Sequence, residues 1–491
     1  MSDRARFRND PDGKRLPIKL DSTTNGEFAP IPLAPVHHHA RSRAFDAATR
    51  NAKRLALSRR AFLVSACGSA TTLLAMNAAY ATTGRPGGYY ELPMLAALDK
   101  DLAHSALDRH EFIFDVQGHF VNPTGAWTRA LPAGAQPLKG FTDLKGCTAA
   151  SATGLGYLQC LGSDAFVKDI FLDSDTDLIV LSFVPSTRKG EPLTIEEAAA
   201  TAAIVERLAG THRMFLHGRV NPNQAGDLEG MDELAARYKI SAWKTYTQWG
   251  PDAKGFFLDD DVGLAMIEKA RKLGIRNIAV HKGLPFGPES YVHSTCVDVG
   301  RVARRYPDVN FLVYHSGFVA GKSEGAYDPT RSDGIDALIT SLHDNNIKPG
   351  ANVYAELGST WRFLMRDPTA AAHALGKLFV HVGEDNVLWG TDSIWYGSPQ
   401  DQIQAFRTFQ IADELIAKYG YPKMTSALRG KVFGKNALAI YKVAPEVLKK
   451  HLGADSVAHE RLSYRERADP TFVSYGPKTR REFLNLRARG G

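Results

Sequence analysis

The strongest constraint on the fold of this chain is an alternation, from residue 111 to residue 445, of short apolar runs with amphipathic stretches. The apolar runs are rich in Val, Ile, Leu, Phe and Tyr, which is typical of strands that are buried on both faces. The eight predicted strands span 111–119, 177–184, 213–220, 240–247, 276–282, 310–316, 352–358 and 386–392. Eight strands, each followed by a helix, predict an α/β fold of the (β/α)8 TIM barrel type. A doubly wound open sheet is the alternative, but no Gly-rich phosphate loop follows any strand.

The stretches between the apolar runs carry helix signals. Thr194 and Glu197 form a capping-box pattern before an Ala-rich helix that ends at Gly210. Further helices are predicted near 229–238, 260–274, 297–306, 333–344, 369–382 and 400–419. The inserted loop after the first strand, residues 121–175, is interpreted as a lid or substrate wall, with decoration of the fold as the alternative. The polar, basic C-terminal extension, residues 446–491, is predicted to wrap the barrel or a neighbouring subunit.

The positive charge of the chain is concentrated at its N-terminus. The net charge is +7, and residues 1–81 hold 13 Lys and Arg against 6 Asp and Glu. The rest of the chain carries equal numbers of both signs, so no nucleic acid partner is predicted. Residues 1–57, which are rich in Pro, Asn, Arg and Asp, are predicted to be a disordered leader extension.

Residues 58–81 resemble a bacterial twin-arginine signal peptide. Arg59 and Arg60 precede a moderately apolar stretch without charge, and Ala79-Tyr80-Ala81 places small residues at the two positions that a signal peptidase inspects. The stretch is too short and too polar to span a bilayer stably, and a buried core helix is the alternative. The pattern predicts a periplasmic or exported protein that meets the twin-arginine export machinery and has no membrane span after processing. Residues 82–110, on the N-terminal side of the barrel, then lead to it.

Four of the predicted strands end in side chains that bind metals or transfer protons. Gln117 and His119 lie at the end of the first strand, His281 of the fifth, His315 of the sixth and Asp392 of the eighth. In a (β/α)8 barrel the carboxyl ends of all strands meet at one mouth. Imidazole and carboxylate ligands suit Zn²⁺ best, with Mn²⁺ and Fe²⁺ as alternatives. Such an ion lowers the pKa of bound water to about 7.

The order of these motifs resembles that of the amidohydrolase-related proteins, the amidohydrolase 2 branch, over the whole predicted barrel. That branch contains metal-dependent hydrolases and metal-dependent decarboxylases. The resemblance implies that His119, His281 and Asp392 are metal ligands, with Gln117 at a fourth ligand position. It also implies that Asp392 takes a proton from the bound water, and that His315 polarises the substrate or shuttles a proton.

Gln117 departs from the pattern of this family, which has an imidazole or a carboxylate at that position. An amide oxygen is a weak donor to Zn²⁺ and brings no charge. Three alternatives remain open: a weaker metal site, a site that uses another ligand, or a barrel that has lost its metal.

Four further residues near strand ends are predicted to bind substrate: Lys244, Glu356, Trp361 and Trp395. Lys244 could pair with a substrate carboxylate, with a structural salt bridge as the alternative. Glu356 could enter the mouth or be a structural partner. The two tryptophans suit an aromatic or otherwise apolar substrate, although large residues close barrel mouths in any case.

The predicted function is metal-dependent hydrolysis of an ester, lactone or amide by a metal-activated water. The first alternative is non-oxidative decarboxylation of an aromatic or unsaturated carboxylate on the same scaffold. The second is a degenerate barrel that acts as a binding protein, which Gln117 motivates. The predicted partners are a small-molecule substrate and the export machinery, and a homo-oligomer remains open.

Overall fold

Eight parallel strands form the barrel that the sequence predicts. The computed structural model describes residues 10–85, 87–108, 111–131, 133, 135–138, 155–250, 254–285, 290–446, 448, 455–470 and 472–488. In chain order the strands are β1 (Gly88–Tyr90), β2 (Phe114–Gly118), β3 (Leu178–Leu181), β4 (Met214–Arg219), β5 (Ile240–Tyr246), β6 (Asn277–His281), β7 (Asn310–Tyr314), β8 (Val353–Glu356), β9 (Val387–Leu388) and β10 (Phe409–Ile411). Strands β2 to β9 pair in sequence order, each parallel to the next. The (β/α)8 architecture is therefore confirmed.

The barrel closes between its last and first strands. The backbone N–H of Asp392 donates to the carbonyl of Gln117 over 3.0 Å, and Gly118 forms a parallel bridge with Ser393. Inside, buried side chains such as Phe114 and Leu312 fill the space between the strands. Because this interior is packed, polar residues that react must stand at the ends of the strands.

Helices surround the barrel and cover its N-terminal side. In chain order they are α1 (Pro35–Arg54), α2 (Arg59–Leu63), α3 (Ala66–Ala81), α4 (Lys100–Leu107), α5 (Ser163–Val167), α6 (Ile195–Ala209), α7 (Asp227–Arg237), α8 (Asp261–Lys272), α9 (Val299–Arg305), α10 (Gly334–Asp344), α11 (Thr360–Leu364), α12 (Pro368–His381), α13 (Gln400–Thr408), α14 (Asp413–Tyr419), α15 (Ser426–Gly430), α16 (Asn436–Ile440), α17 (Ser456–Glu466) and α18 (Arg480–Ala488). The capping box of Thr194 and Glu197 begins α6, and Gly210 ends it in a left-handed conformation. None of the helices in these described ranges has the length and hydropathy that crossing a membrane requires.

The predicted helix at 400–419 is interrupted. It divides into α13 and α14, with β10 between them paired antiparallel to β1. Phe409 and Ile411 are buried in this small sheet. The partner strand lies more than 300 residues earlier in the chain, so the local periodicity could not reveal the break.

The N-terminal residues differ from the predicted disorder. Helix α1 places Ala40, Ala44 and Ala48 on one buried face, at a spacing of four residues, and that face packs against α3. In α3, Leu73 and Met76 are fully buried. Residues 10–81, which we call the N-terminal segment, are thus packed onto the barrel.

The twin-arginine pattern lies inside this packed segment. Arg60 is 1% exposed, lies 3.5 Å from a carboxylate oxygen of Asp10 and donates to the carbonyl of Pro470. Residues 58–81 match the twin-arginine pattern whether or not Arg60 makes these contacts. Export of the protein remains a prediction.

The C-terminal extension packs on the barrel and holds the N-terminal segment. Asp455 accepts a hydrogen bond of 2.6 Å from Arg213 at the amino end of β4. Further along, Ser474 donates to Asp21 over 2.9 Å, and the carbonyl of Pro477 accepts from the backbone of Thr24 over 3.0 Å. The extension therefore connects the barrel to residues 21–24.

The inserted loop after β2 is ordered in part. Trp127, Tyr157 and Leu158 form a small separate hydrophobic cluster in it. Residues 139–154 lie outside the described residues. The role of this loop as a lid remains a prediction.

We expect the packing of the N-terminal segment to weaken at acid pH through His37. Its Nδ1 accepts from the backbone N–H of Ala34 over 2.9 Å, and its Nε2 lies 3.2 Å from the carbonyl of Arg366. Burial, with the nearby Arg366 guanidinium, lowers the pKa of His37 from 6.5 to about 4. The folded state therefore binds fewer protons than the unfolded state between these values, and stability is lost as the pH falls from about 6.5 to about 4.

The measurement is the urea midpoint at pH 7 and at pH 4.5. The parent chain should lose more stability between the two than a His37→Gln variant. His39→Gln, at an exposed position of the same helix, is the control and should behave as the parent does. An equal loss in all three chains would contradict the assignment.

Candidate functional site

The predicted functional side chains lie at one mouth, where the carboxyl ends of the barrel strands meet. His281 is the last residue of β6, His315 follows β7, and Asp392 lies four residues beyond β9. His315, Asp392 and Ser359 have positive φ angles of 65°, 56° and 54°. Non-glycine residues rarely adopt this conformation, and such backbone strain concentrates at functional sites. The strained turns aim these side chains into the mouth.

Two histidines form the first of two polar groups in the mouth. The rings of His281 and His315 lie 4.5 Å apart between centroids. Glu27, from the N-terminal segment, places Oε1 2.7 Å from His281 Nε2. One ligand atom from each of these three residues lies within 4.8 Å of the other two, and this is the group in the described part of the chain that could hold a metal ion.

The second group contains the other predicted ligands. Gln117 Nε2 donates to Asp392 Oδ1 over 3.0 Å, and His119 Nε2 lies 3.2 Å from the same oxygen. Ser359 donates to Asp392 Oδ2 over 2.5 Å. Trp395 stacks on the ring of His119, with 5.8 Å between centroids. The structure thus divides the predicted ligand set, and His315, predicted as a catalytic residue, stands with His281.

Asn25 connects the two groups. Its side-chain nitrogen donates to Glu27 Oε2 over 2.5 Å and to Asp392 Oδ2 over 2.8 Å. Asn25 and Glu27 are each 8% exposed, and the residues beneath them are almost wholly buried. The N-terminal segment therefore closes the mouth.

His315 presents a free lone pair to the first group, and His281 presents one to Glu27 when the Gln248 amide is rotated. His315 Nδ1 donates to the carbonyl of Gly358 over 2.6 Å, which leaves Nε2 unprotonated in the neutral ring, and Nε2 has no hydrogen-bond partner among the described residues. His281 Nδ1 lies 2.7 Å from Gln248, whose Oε1 also lacks a described partner. Rotating this amide by 180° lets Nδ1–H donate to Oε1. Such second contacts fix the tautomer of metal-binding histidines.

Burial dominates the electrostatics of the site. It raises the pKa of Glu27 to about 7 and lowers the pKa of His315 to about 4. Burial also raises the pKa of Asp392, as it does that of Glu27. The hydrogen bond and the charge of His119 outweigh burial and hold the pKa of Asp392 at about 2. Asp392 is consequently ionised at neutral pH, while the two histidines are neutral and able to bind a cation.

Lys244 lies below the mouth, and its ammonium group contacts no carboxylate among the described residues. Its Nζ is 3.7 Å from the centroid of the Tyr314 ring and has no hydrogen-bond partner in the described ranges. Burial lowers the pKa of Lys244 to about 7. Within the described ranges Lys244 therefore forms no direct salt bridge, which was the structural alternative for this residue.

Glu356 supports His315. Its carboxylate accepts from the backbone N–H groups of His315 over 3.0 Å and of Gly358 over 2.6 Å. These bonds fix the turn that carries His315. These bonds agree with the alternative that Glu356 is a structural partner.

The two tryptophans that were predicted to bind substrate differ in position. Trp361 is fully buried, donates to the carbonyl of Gln402 over 2.9 Å and packs against Phe406. These contacts favour a structural role. Trp395 is 5% exposed and stacks on His119, and its role in substrate binding stays a prediction.

Three residues of the site carry no sequence signal that singles them out. Asn25 and Glu27 lie in the stretch that was predicted to be disordered, and Gln248 follows β5. Glu27 is 254 residues away from the histidine that it contacts. Only the packing of the N-terminal segment brings it there.

A comparison with protein families matches most of the barrel. The family model for amidohydrolases matches residues 164–443, which is more than half of the chain. The chain belongs to the amidohydrolase family. The matched residues include β6, β7 and Asp392, whereas Gln117 and His119 precede them. No curated protein matches the chain.

Solved structures show a weak likeness over the barrel. The first is 5-carboxyvanillate decarboxylase from Novosphingobium aromaticivorans with bound manganese, at 14% identity and a TM-score of 0.42, covering 68% of this chain and 98% of that one. The second is 2,6-dihydroxybenzoate decarboxylase from Rhizobium, at 14% identity and 0.40, covering 68% and 99%. A Pseudomonas putida protein, provisionally a 2-pyrone-4,6-dicarboxylic acid hydrolase, has 12% identity and 0.40, covering 68% and 98%. Family membership rests on the family match.

Proposed function

We propose that this member of the amidohydrolase family is a metal-dependent hydrolase of an ester, lactone or amide with an apolar or aromatic body. The observation that carries the proposal is the convergence of ligand atoms of His281, His315 and Glu27 within 4.8 Å of one another, in the same mouth as the ionised Asp392. A divalent cation, with Zn²⁺ the first candidate and Mn²⁺ or Fe²⁺ the others, supplies Lewis acidity when bound there.

Each side chain of the mouth has a role in this proposal. Asp392 accepts the proton of the attacking water, because it is ionised and stands beside the histidine pair. His119 and Ser359 hold the Asp392 carboxylate by hydrogen bonds and keep its charge. Trp395, stacked on His119, offers an apolar wall to the substrate. A substrate reaches Asp392 when Asn25, which contacts its carboxylate, moves out of the mouth.

Lys244 favours one alternative, which is decarboxylation of an aromatic or unsaturated carboxylate. A buried ammonium without a hydrogen-bond partner among the described residues can receive a substrate carboxylate. Release of carbon dioxide separates this reaction from hydrolysis. Protein without metal and without turnover would instead favour the binding protein.

Elemental analysis of the purified full chain, combined with a panel of esters, lactones, amides and aromatic carboxylates, tests the proposal. We expect about one divalent ion per chain, loss of turnover on chelation and its return with the ion. His281→Ala should lose both ion and turnover, while His39→Ala, at an exposed position, should retain both. Turnover that survives complete removal of the metal would overturn the proposal.

We also propose that the protein is exported by the twin-arginine route, as residues 58–81 predict. Recognition requires Arg59 and Arg60 to leave their contacts with the rest of the protein. Cleavage after Ala81 would remove Asn25 and Glu27 and open the mouth, so any role of Glu27 belongs to the chain before cleavage.

Cell fractionation with N-terminal sequencing tests export. The parent chain should appear in the periplasm with a new N-terminus after Ala81. A chain with Arg59→Lys and Arg60→Lys should stay in the cytoplasm at full length. Cytoplasmic, full-length protein in both cases would contradict export.

A further inference from the structure

Glu27 brings a negatively charged ligand to His281 and His315. The residue that the family pattern places on the first strand is here the neutral Gln117, whose Nε2 is engaged with Asp392. Asp392 in turn is held by His119, Ser359 and Asn25. The imidazole rings of the two histidines thus form no hydrogen bond with a carboxylate from the described barrel strands, and Glu27 provides one to His281.

The contact between Glu27 and His281 joins two atoms that can both bind a metal, Glu27 Oε1 and His281 Nε2, over 2.7 Å. With the Gln248 amide rotated so that His281 Nδ1–H donates to Gln248 Oε1, His281 Nε2 is unprotonated and both atoms carry lone pairs. Such a pair needs a proton or a cation between its members. His315 Nε2 adds a third lone pair without a described partner within the same 4.8 Å group. One proton cannot serve three acceptors, whereas a divalent cation can.

Contacts of the residues that precede Glu27 in the chain hold it in the mouth. Asp21 pairs with Arg362 at 2.8 Å, and its backbone carbonyl accepts from Arg366 at 2.5 Å. Asp21 also accepts from Ser474 of the C-terminal extension. Lys19 pairs with Asp401 at 3.1 Å. The carboxylate is therefore placed by buried ion pairs, as a preorganised ligand requires.

We infer that Glu27 is a metal ligand that the N-terminal segment supplies to the barrel, and that it completes a three-ligand site for a divalent cation with His281 and His315. Two imidazoles and one carboxylate form a common donor set for Zn²⁺. The inference rests on the proposed metal dependence. It also selects, among the alternatives that Gln117 leaves open, a site that uses another ligand.

Metal affinity of the full chain tests this inference without an assay of activity. The chain is freed of metal with a chelator and titrated with Zn²⁺ in competition with a chromophoric chelator, then with Co²⁺ while the visible absorption is recorded. Loss of a residue that only supports a ligand typically costs 10–100-fold in affinity, so Glu27→Gln should cost about 100-fold or more. Its Co²⁺ absorption should also differ from that of the parent.

Matched variants separate the outcomes. Asp46→Asn removes one negative charge from an exposed position of the same segment and should bind as the parent does. Should Glu27→Gln fail to fold, as judged by circular dichroism, Glu27→Asp keeps the charge on a shorter stem and should bind more weakly with a changed Co²⁺ spectrum.

Two results would overturn the inference. If Glu27→Gln binds as tightly as Asp46→Asn while His281→Ala loses the ion, Glu27 is not a ligand and the proposed function stands. If the parent chain binds no ion, both the inference and the proposed metal dependence fail.

Discussion

An Asp392→Asn variant is expected to lose about 10²–10⁴-fold in kcat, which is the contribution of a positioned general base. The amide has nearly the shape of the carboxylate but cannot take a proton from water. Asp392 accepts from Gln117, Asn25 and Ser359, so the new NH2 group will face at least one of these donors. We therefore also expect a loss of stability of about 1–3 kcal/mol.

The measurement is kcat on whichever substrate of the panel the parent turns over, beside the melting temperature. Asp344→Asn, at the exposed end of α10, is the control and should keep both values. A rate within about threefold of the parent would exclude Asp392 as the base and leave it a structural acceptor.

A Leu73→Ala variant is expected to lower the free energy of unfolding by about 2–5 kcal/mol, the usual cost of a cavity at a buried leucine. Leu73 lies in α3 and is fully buried in the main hydrophobic core. The loss appears only if the N-terminal segment is part of the native core. If the segment were detached from the barrel in the folded protein, the substitution would change little.

Urea unfolding of the full chain measures this effect. Leu57→Ala, in the same segment but 42% exposed, is the control and should stay within about 0.5 kcal/mol of the parent. Equal stability of the two variants would mean that α3 does not pack on the barrel. It would also favour a segment that is free for export.

The amino-acid sequence determined the barrel and the positions of its reactive side chains. Alternating strands and helices leave one efficient way to bury eight apolar strands, and the carboxyl ends of parallel strands then meet at one mouth. For this reason the sequence alone places His281, His315 and Asp392 together at that mouth. The capping box at Thr194 was equally predictable, because its contacts span three residues.

The tertiary structure alone decided which atoms meet in that mouth. Residues 1–57 were predicted to be disordered from their polar composition, yet the alanine face of α1 packs against α3, and Glu27 contacts His281. The contact joins residues 254 positions apart, and no local pattern encodes such a contact. The same holds for Trp361, whose indole turns into the core because Gln402 and Phe406 are there to receive it. Local sequence sets the period and the ends of each element, while long-range packing selects the partners of each side chain.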